Sequence, residues 1–282
     1  MLFRSSIVWI LAAVYTCSSG SREAMRESVS PPPRSPKPGP PECVAPRLLG
    51  VSAGAYPGGV TPADFTVATA SDDGVRPLLK GWSHVAAAVA ATAICPILIA
   101  LAPPGTRASA AIYAACVIGL FTISATYHRV RWQRPAAYFL MRRLDHSMIF
   151  VVIAATYTPI AVVALPEAQG RMILSVVWAG AIGGALLQLF WPGAPRKLVV
   201  GLHLVVGWVA LLVIVDIWRE LGVAGFVLLM VGGLLHSIGA FVYATRRPDP
   251  WPRVFGFHEV FHLFVIGGIA AHYVVIAFFA LR

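Results

Sequence analysis

The chain predicts an all-α membrane protein, a seven-transmembrane helix bundle with its N-terminus cytoplasmic and its C-terminus outside. Three observations carry that expectation. Of 282 residues, 58% are hydrophobic and only 12% are charged, with a mean hydropathy of +0.75, a profile that implies several spanning helices rather than a soluble domain. From Gly81 onward the apolar residues fall into seven runs, each near the roughly 20 residues a bilayer core demands. Lys and Arg collect between alternate pairs of those runs, as topology determinants do.

In chain order, residues 1–20 hold Arg4 and a short apolar run from Ile7 to Cys17. That run is too short to span and resembles a signal-peptide core. A cleaved signal, a membrane-surface segment and a start placed too early, with Met25 as the alternative, compete for it; a cleaved signal conflicts with the charge count below. Residues 1–78 as a whole read as a disordered Pro/Ser/Gly-rich tail, including Pro31-Pro32-Pro33 and Pro36-Lys37-Pro38-Gly39-Pro40. Such composition cannot bury enough apolar surface to offset the entropy of ordering.

Residues 79–282 form the membrane domain. Its spans are expected at 81–102, 108–128, 145–165, 172–191, 198–218, 222–244 and 255–281. The breaks are Pro103-Pro104-Gly105, Arg129 to Arg143, Pro166 to Gly170, Pro192-Gly193-Ala194-Pro195, Arg219 to Leu221, and Arg246 to Trp251. Gly183-Gly184, Gly232-Gly233 and Gly267-Gly268 read as positions of close helix packing. Tyr157, Thr158 and Pro159 are expected to shape a kink and helix packing.

Orientation follows from the basic residues at the span ends. One side holds Arg76, Lys80, Arg129, Arg131, Arg134, Arg142, Arg143, Arg196, Lys197, Arg246, Arg247 and Arg253, and the other only Arg107, Arg171, Arg219 and Arg282. The crowded side is expected in the cytoplasm, and a plasma (inner) membrane location follows. The formal charge of +10 is accounted for in this way. No basic face with interleaved aromatics points to nucleic acid. The four cysteines, Cys17, Cys43, Cys95 and Cys116, have neither disulfide nor thiolate-metal spacing.

Chemistry concentrates in His258-Glu259-Val260-Phe261-His262. Two histidines four apart on a helix share one face and can hold one metal ion. The charge-derived orientation places His128, at the end of the second span, and Asp145, at the start of the third, at that same depth. Ser124 lies one turn deeper than His128 on the same helix face. Three imidazoles satisfy a catalytic Zn2+ and leave one position for water. Asp145 then orients that water or takes its proton, and Ser124 hydrogen-bonds it or a substrate oxygen. The plain alternative is that these groups only pair with one another inside the bundle.

Of the other histidines, His84 and His146 sit at that level as candidate outer partners, and His203, near the start of the fifth span, reads as an interfacial or bundle hydrogen-bonder. His236, mid-membrane, and His272, in the outer half, lie too far along the normal to reach the metal. Asp216 is expected to meet lipid headgroups.

Ser124-Ala125-Thr126-Tyr127-His128, Leu144-Asp145-His146-Ser147 leading to Thr156-Tyr157-Thr158-Pro159, and His258-Glu259-Val260-Phe261-His262 together resemble the hemolysin III family. That family is grouped with progestin and adipoQ receptors, within a membrane hydrolase superfamily that includes alkaline ceramidases. The resemblance covers roughly 79–282. It implies zinc held by His128, His258 and His262, with Asp145 and Ser124 lining the water site. Ser83-His84 is similar to a family feature in which Thr more often precedes the His, and the long tail before residue 79 departs from the bacterial pattern.

Two function classes follow. One is a zinc-dependent hydrolase cleaving an amide or ester bond of a membrane lipid, with lipid as both environment and substrate. The other is a non-enzymatic receptor-like or cytolytic membrane protein with structural zinc. A water-filled pore would want polar residues along the full thickness, and the outer half is nearly all apolar. The HExxH pattern also admits an intramembrane zinc protease with Glu259 as base, a reading that leaves His128 and Asp145 without a role.

Overall fold

The computed structural model describes residues 77–191 and 193–281, and every regular element among them is helical. The tail before residue 77, including the expected signal-like run and the Pro-rich stretch, lies outside the described residues.

Each helix starts and stops where backbone chemistry requires. Helix α1 (Trp82–Leu101) follows Gly81, whose φ of +79° is the left-handed region that a glycine tolerates without strain. A Cβ there would also stand 2.5 Å from the His128 Cβ. Helix α2 (Arg107–Arg129) ends where Val130 turns extended. Helix α3 (Pro135–Ala164) opens with proline in its first turn, the one helical position where a missing N–H costs nothing. Helix α4 (Glu167–Phe190) follows Pro166, and α5 (Arg196–Gly207) follows Pro195.

The next stretch departs from regular helix. After α5 comes a 3-10 segment, Trp208–Val213, and then α6 (Ile214–Thr245). Six continuous helical stretches are long and apolar enough to cross a membrane, and one of them runs for 50 residues, Arg196–Thr245. A straight helix of that length would measure about 75 Å, more than twice a bilayer core. It is not straight: Gly222 inside it has φ +64° and ψ −179°. Trp218 packs on Phe226 with ring centroids 4.7 Å apart, and Trp208 Nε1 donates to Ser237 Oγ at 3.0 Å. Both pairs are nearly symmetric about residue 222, so the chain doubles back there. The two arms correspond to the fifth and sixth expected spans. Helix α7 (Phe257–Val275) ends in a π turn, Ile276–Ala280.

Consecutive helices pack as neighbours, α6 with α7 most extensively, and α7 returns against α1. Helix α3 is central, touching α2, α4, α5, α6 and the final turn of the chain. The outer surface is apolar, with Phe190 81% and Leu212 74% exposed, as lipid-facing side chains are. Helix α3 begins ten residues earlier than expected, so Arg142 and Arg143 are helical rather than in a loop. Arg143 donates to the Leu189 carbonyl at 3.1 Å, which lets a guanidinium sit against the end of α4.

Of the paired glycines, one member of each makes the close approach. A Cβ on Gly184 would meet the Phe150 ring at 2.4 Å, whereas one on Gly183 would meet nothing within 4 Å. Phe150 is fully buried and cannot give way cheaply. Gly184→Ala is therefore expected to destabilise the bundle by about 1–3 kcal/mol, while Gly183→Ala leaves stability unchanged. Paired thermal unfolding of the two variants checks this.

Candidate metal centre

The start of α7 is fixed by two carboxylates. Glu259 Oε2 accepts from the Gly256 N–H at 2.9 Å, and Asp249 Oδ1 accepts from the Phe257 N–H at 2.8 Å. These are orphan donors of a helix terminus, and acidic groups there also suit the helix dipole. With the first turn so held, His258 and His262 project from one face toward the end of α2.

There they meet His128. His258 Nε2 lies 3.1 Å from His128 Nε2, and ligand atoms of His128, His258 and His262 all lie within 4.8 Å of one another. His128 and His262 are buried. Tetrahedral zinc with Zn–N bonds of about 2.0–2.1 Å sets neighbouring ligand nitrogens about 3.4 Å apart. Small rotamer adjustments therefore bring the three into coordination range, and this buried three-histidine group could bind a metal ion. His262 Nδ1 is buried with no hydrogen-bond partner, an uncompensated polar atom of the kind an ion would satisfy.

Asp145 and Ser124 complete the cluster. Asp145 Oδ2 is 3.8 Å from His128 Nε2, and Ser124 is a hydrogen-bonding neighbour of its carboxylate. Asp145 stands ten residues inside α3 rather than opening it, because the Arg-rich stretch before it is helical. Five side chains from α2, α3 and α7 nevertheless converge.

The outer partners separate clearly. His146 Nδ1 lies 2.7 Å from the Arg142 carbonyl and 3.8 Å from Asp145 Oδ2, and its Nε2 lies 3.2 Å from the Tyr243 hydroxyl. His84 stacks flat on His262, with ring centroids 3.7 Å apart and planes at 12°. Neither ring nitrogen of His84 has a partner, although the residue is buried. His203 stacks on Phe150 at 3.8 Å and hydrogen-bonds the Val199 backbone, as a bundle hydrogen-bonder does, while its Nε2 has no partner. Asp216 accepts from Gln169 Nε2 at 3.1 Å and so meets a helix neighbour.

The basic residues frame this same end. Arg129 lies over the Trp82 ring at 4.3 Å and donates to the Lys80 carbonyl, and Arg196 lies over Tyr243 at 5.1 Å. From here an apolar cavity of about 160 Å³ runs into the bundle. Asp145, His146, His258 and Tyr243 line one end, and Trp208, Leu229 and His272 line the other.

A helical membrane bundle with a buried three-histidine group and an adjoining carboxylate at one end defines a multi-pass membrane protein with a candidate metal centre. Residues 74–273 match the family model described as haemolysin-III related, and the chain belongs to that family. It is 31% identical over 170 residues to "Hemolysin-3" of Bacillus cereus, covering 60% of this chain and 74% of that protein. It is 30% identical over 171 residues to "Hemolysin-3 homolog" of Bacillus subtilis (strain 168), covering 61% and 76%. Similarity at 27% identity over 173 residues extends to "Heptahelical transmembrane protein 4" of Arabidopsis thaliana, covering 53% of this chain and 43% of that one.

Glu259 Oε2 is engaged in capping α7, whereas its Oε1 is buried without a hydrogen-bond partner; the capping contact gives this carboxylate a structural role. Glu259→Gln, which preserves the accepting oxygen, is expected to keep the wild-type melting temperature and metal content. Glu259→Leu should lose about 1 kcal/mol of stability. A Gln variant that folds normally yet loses a hydrolytic activity of the wild type would return Glu259 to the chemistry.

Proposed function

We propose that the protein is a zinc-dependent hydrolase acting on an amide or ester bond of a membrane lipid. The observation that carries this reading is the junction of the three-histidine group with the apolar cavity at Asp145 and His258. His128, His258 and His262 would hold the ion, an all-imidazole donor set that suits zinc. When bound, zinc lowers the pKa of a coordinated water to about 7 and polarises a carbonyl oxygen.

The chain's own residues supply the rest. Asp145 Oδ2, beside His128 Nε2, is placed to take a proton from the attacking water and return it to the leaving group. Ser124 orients that carboxylate. His146, held by the Arg142 carbonyl and the Tyr243 hydroxyl, fixes the other side of Asp145. The cavity accepts the acyl chain and keeps bulk water from it. The count of basic residues at the site end supports a site at the cytoplasmic leaflet, and a plasma-membrane location fits that topology.

A second reading, a cytolytic membrane protein with the metal in a structural role, is favoured by the name of the Bacillus cereus relative. The three-protein-ligand arrangement weighs against it, since structural zinc is almost always held by four. Purified wild-type protein is expected to carry about one zinc per chain by elemental analysis, and His262→Ala to lose it. Asp145→Asn should retain zinc while losing at least about a hundredfold in turnover, read by lipid mass spectrometry of expressing cells against wild type. Zinc-free wild-type protein, or an Asp145→Asn variant with full turnover, would defeat the proposal.

A further inference from the structure

The far end of the cavity carries a second polar feature that metal chemistry does not use. His236 on α6 and His272 on α7 stack with ring centroids 5.3 Å apart and planes at 15°, and both line the cavity. They were expected at different depths, but the antiparallel α6–α7 pairing brings them level. The packing is reciprocal. A Cβ on Gly232 would strike the His272 ring at 2.4 Å, and one on Gly268 would strike the His236 ring at 2.2 Å. Each helix thus carries a glycine four residues before its histidine, and each glycine receives the other helix's imidazole.

The hydrogen bonds fix what these rings can still do. His236 Nδ1 lies 2.8 Å from the Gly232 carbonyl, and His272 Nε2 lies 3.3 Å from the Leu229 carbonyl. A carbonyl only accepts, so each of those nitrogens carries the ring proton. A charged imidazole inside the apolar bundle is costly, so in the neutral ring the remaining nitrogen of each can only accept. Two polar groups on the cavity wall near them, Ser237 and Tyr157, are already satisfied, and His203 Nε2, an unpartnered nitrogen on that wall, belongs to α5 rather than to this pair. Ser237 donates to the Gly233 carbonyl and accepts from Trp208, while Tyr157 donates to the Gly207 carbonyl and accepts from the Ala210 N–H.

Building on the lipid reading above, we propose that His236 and His272 form a hydroxyl-recognition station, selecting acyl chains hydroxylated near mid-chain. His236 packs at Gly268, ten residues beyond His258 along α7. That is about 15 Å, the reach of about twelve extended methylenes. An acceptor-only site rewards an O–H donor and offers nothing to a ketone of the same size.

The test is binding to purified full-length protein in detergent, which needs no turnover. The probes are stearic acid, 12-hydroxystearic acid and 12-oxostearic acid. Wild type is expected to bind the hydroxylated probe about fivefold more tightly than stearic acid, the yield of one buried hydrogen bond. The ketone should bind no more tightly than stearic acid. His236→Phe and His272→Phe, close in shape to the native rings, should bind the hydroxylated and plain probes alike. Equal wild-type affinity for those two, an equal preference for the ketone, or a preference surviving in both variants would overturn the station. Should a variant fail to fold, the three-probe comparison on wild type still decides. Failure of every probe to bind would sink the acyl-cavity reading and the station with it, whereas an absence of hydrolysis would leave the station standing.

Discussion

The constraint on which this bundle depends is the cost of placing imidazoles and a carboxylate inside an apolar structure. Unpaired polar atoms in such surroundings cost several kcal/mol each. The bundle gathers His128, His258, His262 and Asp145 at one point instead of scattering them along separate helices. Much of the local architecture serves that convergence. Gly81 lets the start of α1 pass against His128, where any side chain would collide with it. Asp249 and Glu259 hold the first turn of α7, so that the i, i+4 histidines present one face. His84 lies flat against His262 and closes the cluster from the α1 side.

The same constraint explains the irregular backbone around residues 207–213. Where α5 tightens to a 3-10 segment, backbone groups lose their regular partners in a setting without water. Tyr157, from the central helix α3, donates to the Gly207 carbonyl at 2.7 Å and accepts from the Ala210 N–H at 2.7 Å. One hydroxyl thus repairs both sides of the break. Irregular backbone within a membrane is tolerated where protein covers it or where it lines a cavity, and Gly207, Trp208 and Ala210 do line one. The expectation that Tyr157 shapes packing is met by this repair.

The helices were legible in the sequence because proline, glycine and arginine end them, and those residues act locally. The start of α3 was not: Arg129 to Arg143 reads as a loop by charge, yet Arg143 turns its guanidinium to the Leu189 carbonyl, a tertiary contact no local pattern records. The candidate metal centre was legible from spacing and from membrane depth together, since His258 and His262 share a helix face and charge counting sets His128 at their level. The pairing of His236 with His272 was hidden because it depends on the register between α6 and α7. The repeated glycine-to-histidine spacing was the available signal.

The HExxH sequence shows why a motif must be read with its helix position. In a run of helix interior, the residue after the first histidine points elsewhere and is free to serve as a base. Here His258 is the second residue of α7, so Glu259 falls in the first turn, where a carboxylate is worth most to the exposed amides. Its Oε2 is bound to the Gly256 N–H, and the residue is 1% exposed. The carboxylate beside the histidines comes instead from Asp145 on another helix. Five residues of sequence thus supply the histidine pair of a zinc protease while their glutamate caps the helix, and it is the start of the helix, set by Gly256 and Asp249, that makes the difference.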